Sequence, residues 1–303
     1  MRPSPVLRRL VPALAIGALV FAACGSDDSS GAASTEATTA TDATTAPDGT
    51  TAGEACGPTI DDGVLTIATG EPAFYPWVID DDPASGDGFE AAVAYAVAGE
   101  MGYGADSVVW VRTTFDEAIQ PGAKNFDMNL QQYSITPERQ ENIDMSLPYY
   151  TSNQAIVALD GSAAEGATTI ADLKDVKFGA QVGTTSLQFI TDVIQPDQEP
   201  FVYDDNVGAK AALEANQIDA AVFDLPTALF VSGVEIDGSS VVGQFPADAG
   251  GTTDQFGFVL EKDSALTSCL NDAITTLTDN GGLDAITQEW LADFTGAPVI
   301  TVE

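Results

Sequence analysis

Between residues 64 and 294 the chain alternates short β-branched runs with segments of helical spacing, in two successive cycles. Sustained strand-helix alternation constrains a chain to parallel α/β sheets with helices on both faces. VLTIAT at 64–69 ends in a Gly-Glu-Pro turn, and GFEAAVAYAVAGEMG at 88–102 has its apolar positions spaced for a helix. Strands are predicted at 108–111 and 126–130, with a helical turn at 115–119 between them. Thr136-Pro137 opens another helix, a capping residue followed by proline at the first helical position. The second cycle has predicted strands at 154–159, 177–181, 200–202 and 219–223, and helices at 186–194, 207–215 and 226–231. A last strand at 255–260 precedes a helical segment from 264 to 294, broken at Asn280-Gly281-Gly282. A chain of 303 residues, 45% hydrophobic, is long enough for two such units with separate cores.

The first residues have a different character. Arg2, Arg8 and Arg9 precede an apolar stretch at 10–22 that is too short for a comfortable bilayer span, so residues 1–23 read as a secretory signal. Phe21-Ala22-Ala23-Cys24 resembles a bacterial lipobox, which predicts acylation of Cys24 and attachment to the membrane through a lipid anchor. From about residue 25 to 53 the chain is almost wholly Ser, Thr, Ala, Gly, Asp and Glu, too poor in large apolar groups to offset its ordering entropy. Residues 24–54 are therefore expected to be a flexible tether.

Charge excludes one class of partner. Ten Lys and Arg stand against 46 Asp and Glu, for a net charge of -36. Such a surface excludes nucleic acid as a partner. The chain has no histidine, and its three cysteines are not clustered, so no metal or cofactor is expected. In an exported chain disulfides persist, and a Cys56–Cys269 bridge is favoured over two free thiols; it requires the ends of the folded body to meet.

Open α/β sheets bind ligands beyond the carboxyl ends of their strands. Residues after the predicted strands include Glu71, Phe74, Phe115, Arg139, Thr184, Thr185 and Asp224. Arg139 falls in the first turn of the helix after Thr136, where the helix dipole disfavours a cation by a few tenths of a kcal/mol. Its guanidinium suits a carboxylate, through two parallel charge-assisted hydrogen bonds; the alternative is a surface ion pair with Glu138 or Glu141. Gly183-Thr184-Thr185-Ser186 is an anion-accepting helix start or a plain cap. Asp224 either caps the helix entered through Pro226 or receives an ammonium group. Together, Arg139, Thr185 and Asp224 match a zwitterion.

These motifs, in order, resemble family 3 extracellular solute-binding proteins of ABC importers, the polar amino acid-binding class, here as an actinobacterial-type lipoprotein. The resemblance spans 64–291 and rests on VLTIATGEPAFYPW at 64–77, GFEAAVAYAVAGEMG at 88–102, FDMNLQQYSITPERQENIDMSLPYYTSNQ at 126–154, ADLKDVKFGAQVGTTSLQF at 171–189 and IDAAVFDLPTAL at 218–229. It implies a two-lobed periplasmic-binding-protein-like fold of type II, two doubly wound sheets joined by two hinge strands. The first lobe is expected at 55–149 and 249–303, the second at 156–243, and the hinge at 150–155 and 244–248.

By the same resemblance Arg139 binds the ligand α-carboxylate with help from Thr185 and Ser134, Asp224 binds the α-amine, and Thr184 is a further expected ligand-binding residue. Phe74 and Phe115 fall on aromatic pocket positions, and Glu71 on one that meets a cationic side chain in some members. Gln131 and Gln132 replace small residues. The implied role is capture of a polar or cationic amino acid by hinge closure, as a monomer at the outer face of the membrane, for delivery to an ABC permease. A sensing accessory of a membrane receptor and a dehydratase-like enzyme on the same scaffold are the alternatives.

Overall fold

The computed structural model describes residues 56–251 and 253–302. The signal-like segment, Cys24 and the tether lie outside the described residues. Those described belong to one compact unit, and no helix among them is long and apolar enough to cross a membrane.

The chain runs β1 Leu65–Gly70, α1 Phe89–Glu100, β2 Val108–Thr113, α2 Phe115–Ile119, β3 Met128–Asn129, α3 Pro137–Asn142, β4 Asp144–Met145 and β5 Tyr150–Leu159. It continues with β6 Phe178–Gln181, α4 Thr185–Phe189, β7 Phe201–Tyr203, α5 Asn206–Glu214, β8 Ala220–Asp224, α6 Leu225–Phe230 and β9 Ser239–Phe245. It ends with β10 Thr253–Phe256, β11 Val259–Leu260, α7 Thr267–Asp279 and α8 Gly282–Trp290.

Two sheets result, ordered β2-β1-β3-β11-β4 and β10-β5-β8-β6-β7, with β9 also paired to β5. All six residues of β1 are buried, as a strand covered on both faces must be. One face of the first sheet packs on α1, α7 and α8, with Leu65, Ile67, Phe89, Val93, Leu270 and Ile274 in contact; the other buries Ala68, Phe126, Tyr133 and Ile143. In α7 the buried Leu270, Ala273, Ile274 and Leu277 recur at helical spacing on one stripe. The second sheet likewise separates two cores. Cys56 and Cys269 form a disulfide, tying the start of the described body to α7.

The sheets are mixed, where the alternation predicts parallel ones. β1, β2 and β3 are parallel, and so are β6, β7 and β8, but β5 runs against β8, and β11 against β3 and β4. The exceptions follow the strands that pass between sheets: β5 enters the second sheet from the first, and β10 leads back to β11, so each meets its new neighbours from the opposite direction.

The run expected as one strand at 255–260 is divided. Thr253–Phe256 pairs with Tyr150–Asn153 between the sheets, while Val259–Leu260 joins the first sheet. The return crossing is therefore β10 rather than 244–248. Residues 239–245 instead extend the second sheet along β5, with Gln154 opposite Phe245, and Pro246, lacking an N–H, ends that ladder. The C-terminus also departs from the expected first lobe. Val299 bridges to Gln244 and Thr301 to Thr169, and Ile300 is buried in a second-sheet core.

Candidate ligand cleft

The strand ends of both sheets face a common cleft. Its lining from the first sheet is Phe74, Phe115, Gln131, Gln132, Ser134 and Arg139, and from the second Gln154, Gln181, Thr184, Thr185, Ser186, Asn206, Phe223 and Asp224, with Phe256 from β10. The two sides are in contact. Ser134 Oγ lies 3.0 Å from Thr185 Oγ1, Arg139 Nη2 donates to the Gly183 carbonyl at 2.9 Å, and Trp77 Nε1 donates to Thr227 Oγ1 at 2.9 Å.

Arg139 is held by local geometry. Thr136 caps α3 by accepting from the Arg139 backbone N–H at 3.2 Å. Arg139 is only 8% exposed, Nη1 donates to the Ser134 carbonyl at 2.7 Å, and the guanidinium carbon sits 5.4 Å from the Phe115 ring centroid. No carboxylate among the described residues forms an ion pair with it, so the expected surface alternative with Glu138 or Glu141 is not what the side chain does. Burial lowers its pKa, although a guanidinium stays charged at any physiological pH. Two of its five N–H donors are used by carbonyls; the others are available to an anion in the cleft.

The second-lobe groups come from the starts of α4 and α6. Gly183 has a φ of +73°, a conformation glycine adopts freely, which directs its carbonyl at Arg139. Thr184 caps α4, accepting from Leu187 N at 3.1 Å. Ser186 donates to Gln154 Oε1 at 2.7 Å. Asp224 does cap α6, accepting from Thr227 N at 3.0 Å and from Thr227 Oγ1 at 2.8 Å, and it also lines the cleft. Desolvation pushes its carboxyl up to about 6. Capping and cleft exposure thus coexist, because one carboxylate has lone pairs for both.

Glu71 does not join the others. It is exposed and absent from the cleft lining, one residue beyond the end of β1 at Gly70. Gln131 lies in the space that a side chain at position 70 would need. A Cβ built on Gly70 would come within 2.4 Å of Gln131 Nε2.

Glu90 was not among the sequence candidates. It is 1% exposed, accepts from the Gln132 N–H at 2.7 Å, and binds the Gln132 amide and the Tyr149 hydroxyl. Burial raises its pKa to about 7. These contacts hold Gln132, at a φ of +51°, as part of the cleft wall. The available signal was an acid within the apolar run GFEAAVAYAVA, which reads equally as a favourable charge at a helix start. Gln154, Gln181, Asn206, Phe223 and Phe256 were also missed as lining residues, since only the crossing of β5 and β10 brings their strands together.

A family model for bacterial extracellular solute-binding proteins, family 3, matches residues 65–293. The chain belongs to this family. A probable histidine-binding protein of Campylobacter jejuni is 29% identical over 205 residues, covering 67% of this chain and 76% of that one. Among solved structures, an ancestral arginine-binding protein bound to arginine superposes with a TM-score of 0.62 and 29% identity, covering 76% of this chain and 98% of that one. An ancestral amino acid-binding protein described as a precursor of cyclohexadienyl dehydratase gives 0.61 and 28%, covering 77% and 96%. These relatives are binding proteins, and the two-lobed type II fold is common to the solved structures.

Proposed function

We propose that this family member captures a free polar or cationic amino acid outside the cytoplasmic membrane and presents it to the permease of an ABC importer. The observation that carries the reading is Arg139, a buried guanidinium without a carboxylate partner among the described residues, facing the same cleft as Asp224. A buried charge is costly unless paired, and a zwitterion pairs both at once: α-carboxylate on Arg139, Ser134 and Thr185, α-ammonium on Asp224. The names of the relatives support the ligand class.

Contacts from both lobes make binding and closure one process. Ligand shifts the population toward the closed shape in proportion to its differential affinity for that shape, and the permease reads that shape. Acylation at Cys24 keeps the protein, a monomer, at the outer face of the membrane, and Cys24→Ala is expected to release it from the membrane fraction.

The decisive experiment is a thermal-shift screen of the full chain against the common amino acids, repeated with Arg139→Ala. A ligand that binds only the folded state raises the melting temperature. A shift lost in the variant supports the reading; no shift with any amino acid overturns it.

A further inference from the structure

We infer that the side-chain end of this cleft selects a neutral, amide-bearing amino acid and rejects cationic ones. This inference rests on the function proposed above and narrows its ligand class. Four observations carry it.

First, Arg139 and Asp224 are the only charged side chains lining the cleft among the described residues. Once they pair with the backbone groups of an amino acid, no charge remains for its side chain. Second, the acids that might supply one are otherwise engaged. Glu71 is exposed outside the cleft, and Glu90 lies behind Gln132, bound to that residue's N–H and amide and to the Tyr149 hydroxyl. Asp254 is bound to the Gln154 amide.

Third, the aromatic rings already face cations of the protein. Lys210 Nζ sits 4.5 Å from the Phe74 ring centroid, itself paired with Glu235 at 2.8 Å. Phe115 has the Arg139 guanidinium 5.4 Å from its ring centroid and the Tyr133 ring 4.6 Å from it. A cationic ligand side chain approaching these rings would be repelled by Lys210 and Arg139, the cations already beside them.

Fourth, the remaining polar groups match an amide. Gln181 is 7% exposed and lines the cleft, and no described residue makes a hydrogen bond to its amide. Gln131 uses its Oε1 to accept from the Tyr133 hydroxyl at 3.0 Å, which leaves its amide N–H groups as donors. Gly70 is the residue that admits the Gln131 amide, since any Cβ there would collide with it. A neutral side chain with both a carbonyl and an N–H satisfies Gln131 and Gln181 together; an ammonium or guanidinium offers donors only.

The test is isothermal titration of the full chain with L-glutamine, L-asparagine, L-arginine, L-lysine, L-glutamate and L-alanine. Glutamine or asparagine is expected to bind on the order of 100-fold more tightly than arginine or lysine, because a site built from buried polar groups discriminates against a ligand that leaves them unpaired. Gln181→Leu, close to isosteric, is expected to weaken glutamine by on the order of tenfold with little effect on alanine. Gly70→Asp combined with Gln131→Ser places a carboxylate at the end of β1 and is expected to move preference toward arginine and lysine, its fold checked by an unchanged thermal transition. If arginine, lysine, glutamate or alanine binds most tightly to the unmodified protein, the inference falls while amino acid capture stands. If none of the common amino acids binds, both fall.

Discussion

Ser134 and Thr185 meet hydroxyl to hydroxyl, 3.0 Å apart, although one follows β3 of the first sheet and the other begins α4 of the second. Between them and Arg139 the cleft presents a converging set of donors assembled from both lobes.

Replacing Arg139 by alanine is expected to weaken amino acid binding by about 3 kcal/mol or more, since the ligand carboxylate would lose a buried charge-assisted contact. Arg139→Lys should recover only part of this, because an ammonium cannot reproduce the planar fork that reaches both carbonyls and a carboxylate. Titration calorimetry measures both; equal affinities for all three proteins would remove Arg139 from the site.

Binding should depend on pH through Asp224. Its carboxyl is pushed up to about 6 by desolvation, and only the ionised form pairs with an ammonium. Affinity is therefore expected to rise with pH through about 6, and to be about tenfold weaker at pH 5 than at pH 8. A flat profile over that range would show that Asp224 does not receive the amine.

Glu90 should leave a mark on stability. Its pKa is higher in the folded protein, about 7, than the usual 4.5, so the folded state binds the extra proton between those values. Stability from this group is complete below about pH 4.5 and is lost as pH rises to about 7, an effect of up to about 3 kcal/mol. Asp224 acts in the same direction over a lower window. Melting curves of Glu90→Gln should therefore fall less steeply than those of the unmodified protein between pH 5 and 8; parallel curves would refute the assignment.

Thr227 links Trp77 of the first lobe to Asp224 of the second. Its hydroxyl accepts from Trp77 Nε1 at 2.9 Å and donates to Asp224 Oδ2 at 2.8 Å. Thr227→Val keeps the shape but leaves a buried indole N–H without a partner, at an expected cost of about 1–3 kcal/mol in denaturant unfolding. An unchanged midpoint would mean the hydroxyl contributes nothing.

Opening the disulfide with Cys269→Ser is expected to cost on the order of 5 kcal/mol by the chain-entropy argument, since the bond closes a loop spanning 213 positions. A melting temperature equal to that of the unmodified protein under the same conditions would contradict it.

Much of this protein was determined locally and was therefore legible in the amino-acid order. Periodicity marks β1, α1 and α7, and Thr136-Pro137 announces the start of α3. Arg139 stands out because a cation in a first helical turn runs against the helix dipole. Such signals depend on neighbours within a few residues. The division of 255–260 between two sheets, the return of Ile300 to the second core and the burial of Glu90 depend on partners distant in sequence. The same holds at the end of β1: an acid at position 71 suggests a charged pocket, but Glu71 is exposed, and the missing Cβ of Gly70 leaves the space that the Gln131 amide occupies. Which residues follow strands was set by local propensity; which of them face one cleft was decided by two crossing strands and by the packing that brings the sheets together.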